Sequence, residues 1–343
     1  MAYTNIDDPS AHFQVATYSG SGGSGGHAIV NDGNSDLQPD WVWLKQRSYA
    51  SSSRLMDSSR GGNKMIESDT GAAETTYGYI SSFDTDGFTL GYSDNSFDGY
   101  GRNYVGWQWK ANGGTTSSNT DGTTTTTVQA NTTAGFSIVL GSFTGSTKTY
   151  GHGLGVAPDV VFWKNRSNTN SWLLFTTVVD GTHDYGILNQ GNNFSATGYD
   201  VPTSTVFYGN DDASTDFVAY CFKSIQGYSK IGSYTGNGNA EGPFVYTGFK
   251  PAWLMIKNTT TTGNSWAIFD NKRSDVVGAN QIDKEIAANE NSAEYDRTNA
   301  NMDFLSNGFK LRNTDGWHNT SGDKYFYMAF AENPFVTSTG IPT

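Results

Sequence analysis

Two carboxylates held roughly 5 to 10 Å apart would be the first chemistry to look for, because a strand-rich chain with aromatic grooves can cleave glycosidic bonds with such a pair. The glutamates stand at Glu67, Glu74, Glu241, Glu285, Glu290, Glu294 and Glu332, with no paired spacing along a strand and no Glu-X-Asp-X-X-Glu arrangement. Asp84-Thr85-Asp86-Gly87, and Asp211-Asp212 with Asp216, carry the oxygen ligands that calcium takes. No twelve-residue loop ending in glutamate follows either, so they read as turn residues with solvated carboxylates. His12, His27, His152, His183 and His318 are scattered singly, without the short spacings of structural zinc. His152 lies in the glycine loop Gly151-His152-Gly153, where a hydrogen-bonding spacer is the plainer role. No Gly-X-Ser-X-Gly precedes a helical pattern, and Cys221 sits in an apolar strand as an inert small hydrophobe that can form no intrachain disulfide. The glycine-rich run from Gly20 to Gly26 lacks the Lys-Ser/Thr and the helix of a phosphate loop. The expectation is therefore no catalytic residue, no metal, no cofactor and no enzyme activity.

Aromatic side chains are the remaining chemistry. Trp317-His318-Asn319 and Asn95-Ser96-Phe97-Asp98-Gly99-Tyr100 both precede a strand that closes a repeat. Exposed rings there could stack on the apolar faces of sugars while amides and carboxylates bind hydroxyls. Trp317, His318, Asn319, Phe97, Asp98, Tyr100 and His152 are the candidate contacts with a glycan or a partner. Asn170-Ser171-Trp172 and Asn264-Ser265-Trp266 form a second aromatic set, with Asp270 and Arg273 after the latter and Asp57 and Arg60 in a comparable place upstream. One account makes these a core strand with a structural Asp–Arg pair. The other makes the indole a sugar platform.

The elements that must position these residues occur three times. Pro39-Asp40-Trp41-Val42-Trp43-Leu44-Lys45, Pro158-Asp159-Val160-Val161-Phe162-Trp163-Lys164 and Pro251-Ala252-Trp253-Leu254-Met255-Ile256-Lys257 are one strand-like pattern ending in lysine. Tyr18-Ser19-Gly20, Phe143-Thr144-Gly145 and Tyr234-Thr235-Gly236 precede it, and Gly87–Leu90, Gly198–Val201 and Gly308–Leu311 follow it. A closing strand completes each set. Its period-two alternation puts Val105, Trp107 and Trp109, then Val218, Tyr220 and Phe222, then Phe326, Met328 and Phe330 on one face, and these nine are expected core. The opposite face is mostly small. The proline-led strand is apolar on both faces, as in a strand covered on both sides or one that meets another domain or subunit.

Repeats of roughly 100 to 120 residues are the size of small domains. Many short strands with Gly, Asn and Asp turns indicate an all-β chain of three tandem antiparallel β-sandwiches. The expected bounds are 1–112, 135–227 and 228–343, joined by a Thr/Gly-rich linker or extended arm at 113–134. Its five consecutive threonines favour extended backbone and leave room for an edge strand laid on a neighbour. Because only Ser224 to Lys230 joins the last two repeats, those two should pack closely and the first should stand more apart. The one helical candidate, Asp283 to Tyr295, supports at most one or two turns.

Composition removes further classes. The formal net charge is −12, so the average surface repels phosphate backbones and anionic lipid, and neither nucleic acid nor membrane is an expected partner. The first residues carry no basic region and no apolar run, so no secretory signal is read there, and no stretch approaches the roughly 20 apolar residues of a membrane span. The five Asn-X-Ser/Thr sites at Asn131, Asn165, Asn193, Asn258 and Asn319 then read as an accident of Asn- and Thr-rich composition.

Several separated motifs occur together in order: Asn119-Thr120-Asp121-Gly122 through Val128-Gln129-Ala130-Asn131 to Ala134-Gly135-Phe136-Ser137-Ile138-Val139; Gly151-His152-Gly153-Leu154-Gly155-Val156-Ala157-Pro158; and Phe304-Leu305-Ser306-Asn307-Gly308-Phe309-Lys310-Leu311 with Tyr327-Met328-Ala329-Phe330-Ala331-Glu332-Asn333-Pro334-Phe335. The chain resembles, from about Phe13 to Phe335, a repeated domain family of tailed-bacteriophage virion proteins, frequent in marine phages and cyanophages and often of tail-fibre type. The resemblance implies a virion component of lectin-like or jelly-roll-like sandwiches, made in the host cytoplasm. It would bind other virion proteins, assemble as a homo-oligomer and contact host-surface carbohydrate. The first repeat departs from the pattern, with Gly22-Gly23-Ser24-Gly25-Gly26 and Asp36-Leu37-Gln38 in place of the Gly-His-Gly-Leu-Gly loop. No coiled-coil, collagen-like or β-helix shaft is present, so the chain would be a tip or short appendage. A capsid decoration protein on the head is the alternative, and a carbohydrate-binding adhesin or glycan hydrolase is a third reading.

Overall fold

The computed structural model describes residues 3–343 except 24, 93, 144, 210–214, 275–279 and 298–301. It is all-β, built of antiparallel sheets, none of them closed. Among the described residues the one helical element is the 3₁₀ turn Pro9–Ala11, whose first turn Asp8 caps by accepting from Ser10 N. The helical expectation at Asp283 to Tyr295 is not met. Lys284–Ala287 is a strand with all four residues buried, which a short exposed helix could not achieve.

Three larger sheets share one strand order. In the first, Asn103–Trp109 lies between Phe13–Ser19 and Trp41–Gln46; in the second, Asp216–Phe222 lies between Phe136–Ser142 and Val160–Asn165; in the third, Lys324–Pro334 lies between Ser229–Thr235 and Phe249–Asn258. Register repeats as well. Val105 faces Thr17 and Lys45, Val218 faces Leu140 and Lys164, and Phe326 faces Ser233 and Lys257. Pro251 stays inside its strand because the ladder shifts register there, which relieves the missing N–H. A smaller sheet covers each larger one. Gly87–Leu90 and Gly308–Leu311 belong to these smaller sheets, but Gly198–Val201 does not. The strand of the second repeat is Val206–Gly209, whose Phe207 is buried while Val201 is half exposed.

Because side chains alternate along a strand, each larger sheet has two apolar faces, and they enter different cores. One face meets the smaller sheet: Val42, Leu44 and Met56 pack with Phe88 and Leu90, and equivalent clusters surround Phe207 and Phe309. The other face joins a single central cluster shared by all three repeats. The nine alternating residues, Val105 through Phe330, are buried in this shared core and not in the space under the smaller sheets. Trp41 stacks on Tyr220 at 4.3 Å, Trp109 meets Trp253 edge-on at 5.6 Å, and Phe222 meets Phe330 at 5.7 Å, so every pair of repeats is in ring contact. The small opposite face of the closing strand follows from this, since it lies under the smaller sheet where space is short; at Gly106 a Cβ would come within 3.0 Å of Leu44.

The junctions close into a ring. Glu74 N donates to Arg166 O, Phe194 N to Thr259 O and Glu294 N to Arg47 O, each at 2.9 to 3.0 Å, linking repeat one to two, two to three and three to one. The repeated lysines span the same junctions. Lys45 Nζ donates to Glu290 O, Lys164 Nζ to Gly71 O and Lys257 Nζ to Gly191 O. Burial lowers the ammonium pKa of Lys45 to about 8 and that of Lys257 to about 7.

Two junctions hold buried ion sets, and the third has apolar residues in their place with one solvated Lys324–Asp180 pair at 4.0 Å. Arg60 is fully buried between Asp57 and Glu74, Glu74 also pairs with Arg166, and Tyr220 Oη donates to Asp57 at 2.7 Å. Arg273 is likewise buried between Asp270 and Glu294, Glu294 pairs with Arg47, and Trp107 Nε1 donates to Asp270 at 2.8 Å. In the second repeat the matching positions are Thr176, Val179 and Phe194, and Thr259 and Met328 of the third stand where Arg166 and Tyr220 stand in the second. Burial would raise the Glu74 and Glu294 carboxyls, but the guanidiniums around them hold both below the ordinary range.

The first repeat does not stand apart, contrary to the expectation from linker length. The threonine-rich segment supplies two strands, Ser117–Asn119 and Thr126–Asn131, that extend the second sheet beyond Phe136–Ser142. The aromatic face of the first sheet is buried in the central core, and that burial decides the docking.

Removing one partner of a buried ion pair costs about 3–5 kcal/mol, whereas an apolar replacement of the whole set is far milder. Asp57→Ala should therefore lower unfolding stability by that amount in denaturant titrations. Importing the apolar junction, with Asp57→Thr, Arg60→Val, Glu74→Phe, Arg166→Thr and Tyr220→Met together, should cost less than the single change.

The lowered lysine pKa values give a signed pH dependence. Between about pH 7 and pH 10.5 the unfolded chain holds a proton that folded Lys257 has lost, so stability from this group rises with pH by at most about 1.4 kcal/mol per unit and falls away as pH drops through 7. A Lys257→Met variant should lack this slope, with only a pH-independent offset from the carbonyls left unpaired. Equal slopes in the two proteins would exclude the assignment.

Candidate functional site

The loops before the closing strands of repeats one and three share a buried frame. Phe97 N and Asp98 N donate to Asp94 O, and His318 N and Asn319 N donate to Asp315 O. Tyr18 Oη donates to Phe97 O, and Tyr234 Oη to His318 O, both at 2.7 Å. Asp98 accepts from Ser21 N and Ser21 Oγ and lies 2.6 Å from His27 Nδ1. Asn319 accepts from Asn237 N and donates to Asn313 O and Asn239 O. The Tyr-Ser-Gly and Tyr-Thr-Gly turns press against these loops so closely that a Cβ on Gly20 would lie 2.1 Å from Gly99 O, and one on Gly236 2.2 Å from Thr320 O. The small residue is required by contact with the loop, not by the turn alone.

This frame corrects most of the candidate contacts. Phe97, Asp98, His318 and Asn319 are all buried, and so is His152. They hold loops in place and present nothing to a ligand. His152 Nδ1 accepts from Leu154 N while Nε2 donates to Thr203 O at 3.2 Å, and burial lowers its pKa, so it is a neutral spacer. Trp172 and Trp266 are also fully buried, with indole N–H groups donating to Glu67 O and to Ile187 O, which removes the sugar-platform account of both. Asp84 accepts from Thr89 Oγ1 and Asp86 from Leu37 N; Asp211 and Asp212 lie outside the described residues. Cys221 is buried and its thiol pKa is pushed up by that burial. Asn165, Asn258 and Asn319, three of the five sequons, are buried as well.

Two aromatic surfaces remain at these loops, while Tyr49, Phe244 and Tyr246 are exposed elsewhere. Tyr100 is 85% exposed at the tip of its loop. Beside that loop, Tyr77 and Tyr92 are each about half exposed and meet edge-on at 5.2 Å, Tyr77 contacts Tyr79 at 5.3 Å, and Tyr79 rests on buried Phe97 at 5.2 Å. Sequence reading found Phe97 and Tyr100 but missed Tyr77, Tyr79 and Tyr92. Aromatics at i and i+2 in Tyr77-Gly78-Tyr79 were the available signal.

In repeat three the same place is charged. Arg297 replaces Tyr77, Glu285 replaces Met65 and His318 replaces Phe97. The Arg297 guanidinium lies 4.6 Å from the ring of half-buried Trp317 and 4.9 Å from that of Tyr295, and reaches Glu285 Oε1 at 3.3 Å. His318 Nε2 lies 3.1 Å from the buried Glu285 Oε2. One face of Trp317 is therefore already occupied by a cation, and the open tyrosine patch of repeat one is the better contact surface. Its rings offer apolar faces with hydroxyl edges, which suits sugars and protein surfaces alike. Among the described residues no group of three His, Cys, Asp or Glu side chains could hold a metal ion.

Phe97→Ala should cost about 3–5 kcal/mol of unfolding stability as a large buried ring, while Tyr100→Ala should stay within about 0.5 kcal/mol. Thermal and denaturant unfolding of the two variants check the division between frame and surface.

The family described as a domain of unknown function (DUF7483) matches residues 8–334, and the chain belongs to that family. No curated protein and no solved structure matches it.

Proposed function

We propose that this member of the DUF7483 family is a structural protein of a tailed-bacteriophage virion, of tail-fibre or appendage type, acting by binding and not by catalysis. Its three units are lectin-like β-sandwiches at 1–112, 135–227 and 228–343, with 113–134 as an arm folded onto the second. The pairing of each larger sheet with a smaller one around its own apolar cluster supports that division. The observation that carries the function is the exposed, edge-on pair Tyr77 and Tyr92, with Tyr100 exposed at the tip of the following loop, whose Asp98 is spent on structure. Such a patch contacts host-surface glycan, and other virion proteins or further copies of the chain hold the protein on the particle. Its location is the virion, after synthesis in the host cytoplasm.

The ring of junctions favours a second reading, a decoration protein on the phage head. Three near-equivalent units around a common core offer three similar faces, which suits a three-fold position on a shell.

Immunogold microscopy on purified virions separates the two. Label at the tail or its appendages is expected, label over the head selects decoration, and unlabelled particles would exclude both. On glycan arrays, Tyr77→Ala and Tyr100→Ala should lose bound signal at unchanged melting temperature. Turnover of capsular polysaccharide by the protein would overturn the binding-only reading.

A further inference from the structure

The three junctions each have a seat beside the opening strand, and the seats are filled differently. At the first junction the seat holds Gln129. Its strand, Thr126–Asn131, pairs antiparallel with Phe136–Ser142, placing Gln129 opposite Ile138. The Gln129 amide donates to Ser58 Oγ and Ser59 Oγ at 3.0 and 2.8 Å and accepts from Asn112 N and Gly114 N. At the second junction the short connection fills the seat. Ile225 packs against the central core, and Ser224 Oγ accepts from Ile231 N, the residue matching Ile138.

At the third junction the seat is open. The shared register puts Val15 where Ile138 stands, opposite Trp107 as Ile138 is opposite Tyr220. Asn271 and Lys272 follow Asp270 as Ser58 and Ser59 follow Asp57, and Asn333 stands three residues after Phe330 as Asn112 does after Trp109. Val15, Asn271, Lys272 and Asn333 line a cleft of about 270 Å³ between repeats three and one. Among the described residues no strand pairs with the outer side of Phe13–Ser19. Asn271 Oδ1 is buried without a hydrogen-bond partner, as an amide acceptor awaiting a donor would be.

We propose that this cleft is a docking slot for an extended polypeptide segment of a partner protein. The segment adds antiparallel to Phe13–Ser19 as a seventh strand of that sheet and places a glutamine or asparagine side chain against Asn271 and Asn333. The molecule itself supplies the argument for the occupant, since the equivalent seat one junction away takes a strand of that kind from its own chain. Main-chain bonds to the free edge give affinity, and the amide seat fixes register. The Lys272–Asp32 pair at the cleft, 2.9 Å apart, and Glu332 of its lining, paired with Lys250 at 2.8 Å, set charges of both signs in equal number there. A neutral polar segment resembling Thr-Thr-Val-Gln-Ala-Asn suits that balance better than a charged one.

The test uses the full chain and a labelled peptide spanning residues 124–132 as probe, read by fluorescence anisotropy and by amide hydrogen exchange. Saturable binding with Kd at or below ~100 μM is expected, together with slowed exchange across Phe13–Ser19. The same peptide with Gln129→Ala should bind at least about tenfold more weakly, a comparison that leaves the folded protein unaltered. The proposal fails if no saturable binding is seen at ~1 mM peptide, or if a scrambled peptide protects the same amides equally. It fails too if Phe13–Ser19 already exchanges as slowly as Phe136–Ser142 in the free protein. Protection that appears instead with rising protein concentration, alongside a dimer in sedimentation, would assign the slot to a second copy and overturn the partner.

Discussion

Everything else in this molecule depends on the burial of three sheet faces against one another. Each larger sheet carries aromatic or long apolar side chains on the face that its own smaller sheet cannot cover, and only the other two repeats can take that face out of water. Burial of a single large side chain contributes about 1.5–3 kcal/mol, and Trp41, Trp43, Trp107, Trp109 and Trp253 all lie in this one core. A chain lacking any disulfide thus gains a core far larger than one repeat of its size could build.

A shared core of this kind fixes orientation only loosely, because apolar contact is non-directional. Direction comes from the rim. The three equivalent backbone bonds and the three lysine bridges tie each repeat to the next in the same way, and the third to the first, so the ring closes. Placing two junctions on buried Arg–carboxylate sets and one on Phe194, Val179 and Met328 makes the junctions chemically unlike. A repeat docked at the wrong junction would bury an unpaired guanidinium, a cost of several kcal/mol. Partner choice inside the chain is thereby specified against its own near-copies.

The same economy accounts for the surface. Polar residues that looked available for ligand chemistry are buried: Asp98, His152 and Asn319 hold loops against the sheets, and the His318 ring lies against Glu285. What is left outward includes the tyrosines at the end of repeat one, the Trp317–Arg297 stack and the exposed Phe244 and Tyr246 of repeat three, and the uncovered edge strand at one junction. Unequal occupation of three equivalent places, a threonine-rich strand, a five-residue turn and an open cleft, distinguishes repeats that otherwise follow one plan.

Much of this was legible in the residues alone. Strand character, the triple pattern and the burial of Val105, Trp107 and Trp109 with their counterparts follow from local alternation and composition, because a side-chain period of two is a property of the strand itself. Alternation could not say which core each face enters. That requires knowing what lies across from it, and the central cluster is assembled from residues more than 200 positions apart, such as Phe13 and Phe330. For the same reason Trp172 and Trp266 could be read as platforms, and the first repeat as independent. Their burial is imposed by neighbouring repeats and leaves no mark in the local sequence. The lysine ending each proline-led strand was visible as a repeated letter, but only the closed ring gave it a carbonyl to reach in the next repeat.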